Sequence, residues 1–208
     1  MHIGLLSTFD AKGGAAIAAR RLLHGLLRKG EDAVMLARHK TANDPATLRF
    51  TPAPGLRLRI QRRLRRMRIE RAFTPYRMRR PSDAGLFTDD RSPLAWDHLV
   101  PSNREIMNLH WVSEFVDHGT FLRKLPPSLP VVWTLHDMNA FTGGCHYTGG
   151  CTRYTEQCGR CPQLGSREPG DLSHQVWRRK QRAFGMINPE QLTVLCPSEW
   201  LSGRAAAS

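Results

Sequence analysis

The sequence lacks any apolar run that is long enough to cross a membrane. None of its 208 residues belong to an uninterrupted apolar stretch of about 18 residues or more. The first residues, MHIGLLSTFDAKGG, also lack the basic segment followed by a long apolar segment that marks a signal peptide. We therefore predict a cytoplasmic protein without a transmembrane helix, and peripheral attachment to the inner face of the membrane is a further expectation.

Acidic residues are scarce: 18 Asp and Glu stand against 31 Lys and Arg, which gives a net charge of +13. Most of this excess lies in residues 56–80, which contain eleven arginines and one glutamate. Apolar residues recur there at helical spacing, at Leu56, Ile60, Leu64, Met67 and Phe73. The pattern predicts a basic amphipathic helix. Its candidate anion contacts are Arg62, Arg63, Arg65, Arg66 and Arg68.

The partner of this basic helix is not fixed by its charge. A solvated helix face, an anionic membrane surface and a nucleic acid are the three alternatives. No helix-turn-helix, zinc-finger or RNP pattern accompanies the arginines, so a nucleic acid is the least favoured of them.

A GxGxxG fingerprint is also missing, which argues against an NAD or FAD site. The chain nevertheless begins with a short apolar run at 2–8, a Gly13-Gly14 turn, an Ala- and Leu-rich helix at 15–27 and a second apolar run at 33–37. This order predicts an α/β fold with a Rossmann-like, open and mostly parallel sheet flanked by helices. The paired glycines precede a helix, where backbone N–H groups can approach a phosphate, although a plain tight turn gives the same pattern.

Two later strands end close to histidines. Residues 106–112 contain His110 near their end, and residues 131–135 are followed directly by His136 and Asp137. The carboxyl ends of parallel strands meet at one edge of a sheet, where ligands bind, so we expect these side chains to face one cleft. His136 is the candidate hydrogen-bond donor or general base toward a hydroxyl group.

Further elements follow from local patterns. We predict a loop over 38–55, a loop over 81–104 and a helix from Ser113, with Ser113 as its N-cap. A helix over 172–184 precedes a last strand at 192–196. Ser198 is the expected cap of a final helix.

Four cysteines follow the central strand within residues 143–164, in the spacing C-x5-C-x6-C-x2-C. Structural zinc takes four such ligands, so we predict a zinc staple held by Cys145, Cys151, Cys158 and Cys161. Two disulfides, reduced thiols and a cluster of another metal are the alternatives. His146 could replace one of the thiolates as a ligand, but a histidine beside a cysteine is more often a bystander.

Several motifs are similar to those of a known family. The residues are KGGAAIAARRL at 12–22, NLHWV at 108–112, TLHDMNAFTGGCHYTGGC at 134–151, CGRCPQLGS at 158–166 and CPSEWL at 196–201. They resemble the N-terminal half of bacterial family-four glycosyltransferases of the exopolysaccharide and colanic-acid type. The motifs extend over most of the chain, whereas residues 56–104 match least.

The resemblance implies a two-domain, B-type, retaining enzyme that transfers a sugar from a nucleotide sugar to a glycan or lipid-linked hydroxyl, without a catalytic metal. It implies that residues 1–208 form the acceptor-side domain. Gly13 and Gly14 would approach the donor phosphates, and His136 would lie near the transferred sugar with Asp137 in support. His110 is a weaker candidate for the same cleft.

The donor-side domain and its Glu…Glu motif are not found in these residues, so the resemblance implies that the 208-residue chain alone is inactive. Two rival functions remain. One is a zinc-stapled basic module that binds nucleic acid or an anionic membrane without catalysis. The other is an NAD-dependent enzyme, which the missing fingerprint disfavours.

Overall fold

The computed structural model describes residues 1–52, 54–76, 87–94 and 103–208. Six strands form one sheet, in which all neighbouring strands are parallel. The strands are β1 (His2–Phe9), β2 (Asp32–His39), β3 (Thr47–Arg49), β4 (Ile106–Leu109), β5 (Val131–Thr134) and β6 (Leu192–Leu195). The helices are α1 (Gly14–Arg28), α2 (Leu56–Phe73), α3 (His118–Lys124), α4 (Leu172–Phe184) and α5 (Glu199–Ala206). The α/β prediction is confirmed.

The strand order across the sheet is β3-β2-β1-β4-β5-β6. The chain therefore builds outward in one direction from β1 and then in the other direction from β4. In open α/β sheets, the crevice outside the carboxyl ends of the strands at such a reversal is where ligands bind. The order thus predicts a site between the ends of β1 and β4.

Both faces of the sheet are covered at its central strand β1, whose adjacent residues point to opposite faces. Leu5 of β1 packs in one core with Leu23 of α1 and Met35 of β2. Leu6 points the other way, into a larger core with Leu109 and Trp133. The near-continuous apolar run of β1 is typical of a strand that is covered on both sides.

Two predicted elements differ from the structure. The predicted loop over 38–55 contains β3, which is too short to show a two-residue alternation in the sequence. The helix predicted from Ser113 begins only at His118, and its cap is Asp117, whose carboxylate accepts a hydrogen bond from Thr120 N. The hydroxyl of Ser113 instead donates a hydrogen bond to Asn139 Oδ1. The predicted loop over 81–104 lies largely outside the described residues.

Helix α2 ends at Phe73 and is followed by a single 3-10 turn at Thr74–Tyr76, so the described helix stops short of residue 80. It has no fully buried residue. Leu58, Ile69 and Phe73 are partly buried on the face toward the protein. Within the described chain, no helix is both long enough and apolar enough to span a bilayer.

A candidate active-site cleft at the carboxyl edge of the sheet

The ends of the central strands and the start of α1 enclose a cleft of about 470 Å³. It lies at the carboxyl edge of the sheet, near the reversal of strand order between β1 and β4. Its lining contains both predicted glycines together with His136 and Asp137. The further lining residues are Ser7, Phe9, Lys12, Ala15, Ala16, Trp111, His146 and Tyr147. The cleft thus brings the Gly13-Gly14 pair close to His136 and Asp137, and the roles predicted for these residues stay predictions.

The glycine pair forms the N-terminus of α1. Gly13 is the N-cap residue with φ of +86°, a conformation that favours glycine, and Gly14 is the first helical residue. A β-carbon at either position would meet no atom within 4 Å, so the backbone here is open to the cleft. Lys12 adds a positive charge to the same lining. A helix N-terminus of this kind attracts anions.

Asp137 is held by three donors. Its carboxylate accepts hydrogen bonds from Trp111 Nε1 at 2.8 Å, from His146 Nδ1 at 2.6 Å and from Asn139 N at 2.8 Å. Burial alone would raise the pKa of Asp137, but these bonds outweigh it and lower the pKa below its ordinary value. Asp137 is therefore ionised at neutral pH, and its carboxylate accepts hydrogen bonds from the groups around it.

His146 is a functional candidate that the sequence analysis missed. Its ring bridges Asp137 on one side and Thr88 Oγ1 on the other, at 2.9 Å. The sequence analysis considered His146 only as a neighbour of the cysteines, whereas this buried ring is one of the groups that hold the Asp137 carboxylate. The loop that carries His146 packs closely on residues 87 and 88, and glycine is required there. A β-carbon at Gly144 would lie 2.5 Å from the Phe87 ring.

His136 and His110 meet edge to edge in nearly parallel planes, and Nε2 of His136 lies 2.9 Å from Nδ1 of His110. Burial lowers the pKa of His136, while the charge of Asp137 opposes this change. Burial also lowers the pKa of His110 to about 3, so this ring is neutral at pH 7. His110 does not line the cleft but lies buried behind His136. The expectation that both rings face the cleft is wrong for His110.

The loop that carries Asp137 is anchored from behind by Lys180 of α4. This side chain is only 2% exposed, and its Nζ donates to the carbonyl oxygens of Asn139 and Thr142. Burial lowers the pKa of Lys180 to about 8. A charged side chain in the predicted helix over 172–184 gives no sequence signal that it points inward.

The four cysteines contain one clear pair. The thiols of Cys145 and Cys161 are hydrogen-bonded to each other, which raises the pKa of Cys145 and lowers that of Cys161 to about 7. Cys158 Sγ accepts from Gly143 N at 3.2 Å. The cysteines are free of disulfides. Among the described residues, no three or more His, Cys, Asp or Glu side chains are arranged to hold a metal ion.

The predicted anion-contact arginines spread around α2. Arg63 and Arg68 are exposed, and Arg62 is partly buried. Arg65 donates to the carbonyl of Leu94 at 3.3 Å. Arg66 lines a separate cavity of about 300 Å³ beneath the helix. None of the five lines the cleft at the sheet edge.

Comparison with known proteins gives one partial relative. The chain is 34% identical over 95 residues to a protein of Escherichia coli (strain K12) that carries the provisional name colanic acid biosynthesis glycosyl transferase WcaC. The match spans 45% of this chain and 23% of that protein's length. No protein-family model and no solved structure matches the chain. Over nearly half of its length, the chain is thus similar to part of a glycosyltransferase.

Proposed function

We propose that this chain is the acceptor-side half of a glycosyltransferase, which transfers a sugar from a nucleotide sugar to a hydroxyl of a polysaccharide or lipid-linked acceptor. The observation that carries the proposal is the cleft in which His136 lies opposite an open, glycine-rich helix N-terminus. The partial similarity to a glycosyltransferase supports it. The strand order is that of a doubly wound nucleotide-binding sheet, which supports a Rossmann-like domain of a B-type, retaining, family-four enzyme.

The residues of the cleft have different roles in this proposal. The backbone N–H groups of Gly13 and Gly14, with Lys12 nearby, stabilise the negative charge of the donor phosphates. The ring of His136 hydrogen-bonds to a sugar or acceptor hydroxyl. Asp137 and its donors hold the loop that follows His136 in place. A second, donor-side domain supplies the remaining contacts to the nucleotide sugar, and we expect the 208 residues alone to be inactive.

Replacing Gly14 with glutamate separates phosphate binding from folding. The open space at Gly14 accepts a side chain, and a carboxylate in the first turn of a helix stabilises the helix by about 0.3–1 kcal/mol. The same carboxylate repels a phosphate at that terminus. We expect Gly14→Glu to raise the KM for the nucleotide sugar by about tenfold, since one unfavourable contact of about 1.4 kcal/mol has this effect, without loss of thermal stability.

Gly14→Ala is the matched control, because it fills the same open space without a charge. Steady-state kinetics and thermal unfolding are measured on the protein as its natural gene encodes it. Equal KM values for the glutamate and alanine variants would contradict a phosphate site at this helix.

We also propose that α2 rests on the anionic inner surface of the membrane and brings the cleft to a lipid-linked acceptor. Four apolar residues form one stripe along the helix and range from 37% exposed at Met67 to 72% at Leu56; they are Leu56, Ile60, Leu64 and Met67. Exposed arginines such as Arg63 and Arg68 flank this stripe. The opposite face is the one that packs on the protein, so the stripe is left for a partner that is apolar and negatively charged.

Vesicle binding tests this docking surface. The protein should bind vesicles that contain anionic lipid and not neutral ones. Arg63→Gln with Arg68→Gln should weaken binding by about 30-fold, because each basic residue near the surface contributes about 1 kcal/mol. Arg28→Gln with Lys29→Gln, at the exposed end of α1, removes equal charge and should have a small effect. Binding to DNA or RNA but not to vesicles would contradict the proposal and favour a nucleic-acid module.

Finally, we propose that Cys145, Cys151, Cys158 and Cys161 bind one structural zinc ion, which would staple the loop rather than take part in the reaction. Their thiols already affect one another's pKa values, although the described geometry is not that of a formed site. Metal analysis of protein purified without chelator should give one zinc per chain, and a chelator should lower the thermal stability. Metal-free protein with all five thiols reactive would contradict the zinc site. Metal-free protein with two disulfides would favour the disulfide alternative instead.

A further inference from the structure

Behind His136 lies a small cavity of about 20 Å³, enough for one water molecule. Its lining includes His110, His118 and Ser113. The Nε2 atoms of both histidines are buried without a hydrogen-bond partner among the described residues. Both side chains are almost fully buried, at 3% and 2% exposed. Buried polar atoms of this kind are normally satisfied, often by an internal water.

The tautomer of His118 follows from its other nitrogen. Nδ1 of His118 lies 3.0 Å from the carbonyl oxygen of Asp90, which can only accept, so Nδ1 carries the hydrogen. The ring is neutral, because burial lowers its pKa to about 4. Nε2 of His118 is therefore a hydrogen-bond acceptor that lacks a donor.

The hydroxyl of Ser113 is committed in the same way. Its hydrogen is donated to Asn139 Oδ1 at 3.2 Å, so its remaining lone pairs can only accept. A water in the cavity can donate one hydrogen to His118 and the other to Ser113. Its oxygen then accepts a hydrogen from Nε2 of His110. This arrangement gives the water three hydrogen bonds, whereas a water that donates to both histidines makes only two.

We propose that this cavity binds a water molecule that links His118 to His110 and thereby fixes the tautomer of His136. With its hydrogen on Nε2, His110 presents an unprotonated Nδ1, to which His136 Nε2–H donates. His136 then keeps a lone pair on Nδ1, the nitrogen that is left for a ligand. His118 is thus a positioning residue. The identity of the ligand as a sugar or acceptor hydroxyl rests on the proposed function. The tautomer of His136 is inferred independently of that function.

Histidine-labelled ¹⁵N NMR of the protein as its natural gene encodes it reads the tautomers directly, without substrate. We expect His136 to be protonated on Nε2, with its signal assigned by its loss in His136→Gln. His118→Asn keeps a donor at the Nδ1 position and removes the Nε2 acceptor. It should change the tautomer ratio of His136 by about fivefold, the effect of losing one hydrogen bond.

His118→Gln is the matched variant, because its amide oxygen occupies the Nε2 position and should leave the ratio near its wild-type value. Ser113→Ala, which removes the third bond of the water, should shift the ratio in the same direction as His118→Asn, and it tests the link if His118→Asn does not fold. A wild-type His136 protonated on Nδ1, or a ratio unchanged in both folded variants, would overturn the proposal. Because no reaction is involved, inactivity of the protein would leave this result standing.

Discussion

Replacing His136 with alanine is expected to lower the kcat/KM of sugar transfer by a factor of about 10²–10⁴, the range for losing a residue that exchanges a proton or hydrogen bond with the reacting hydroxyl. The ring lines the cleft and is backed by His110 at 2.9 Å, so its position is fixed before substrate binds. Alanine removes this preorganised group and leaves the Asp137 interactions in place. The folded state should therefore survive the substitution.

His2→Ala is the control for the His136 variant. This histidine lies at the amino end of β1, at the opposite edge of the sheet from the cleft, and it is exposed. Activity should stay within about twofold of wild type, since surface changes away from a site cost little. A His136→Ala variant that is folded and retains wild-type kinetics would remove His136 from the mechanism and leave the cleft without its proposed polar group.

The largest effect on stability is expected for Lys180→Met. Methionine has nearly the same length as lysine but carries no hydrogen-bond donor. The buried carbonyls of Asn139 and Thr142 therefore lose their partner. Each unsatisfied carbonyl costs about 1–3 kcal/mol, so the free energy of unfolding should fall by about 3–5 kcal/mol. Urea unfolding measures this change. Arg178→Met, exposed on the same helix, should change it by no more than about 0.5 kcal/mol.

The pH dependence of this difference gives an independent check. Burial lowers the pKa of Lys180 to about 8 in the folded protein, whereas its ordinary value is 10.5. Between these values the unfolded chain binds more protons than the folded one, so this residue makes the folded state more stable as pH rises. The gap between the unfolding free energies of wild type and Lys180→Met should therefore widen from pH 8 to pH 10. A gap that stays constant would show that Lys180 is not buried in this way.

The parts of this architecture that depend on apolar patterning could be predicted from the sequence. The buried strands β1 and β5 are continuous apolar runs, and a strand end places His136 and Asp137 at the ligand-binding edge without further information. The cap of α5 at Ser198 is also local, because its hydroxyl accepts from Leu201 N three residues later. Local rules were sufficient in these cases.

The remainder depended on contacts between distant residues. Trp111 and His146 reach Asp137 from 26 and 9 residues away, and Lys180 reaches Asn139 across 41 residues. Ser113 looks like a helix cap in the sequence, but in the structure its hydroxyl donates a hydrogen bond to Asn139 Oδ1. In each case the contact is made by a polar group, so the hydrophobic pattern carries no signal of it. Such residues are recognised only when the donors and acceptors of the folded site are counted.

The most direct test of the account is the transfer of a radiolabelled sugar from a panel of nucleotide sugars to lipid-linked glycan acceptors by the protein as its natural gene encodes it. We expect that label moves from at least one donor, that His136→Ala abolishes most of this transfer, and that the 208-residue chain alone transfers none. Folded protein that moves no label from any donor, or that moves it equally well without His136, would contradict the assignment of this cleft to glycosyl transfer.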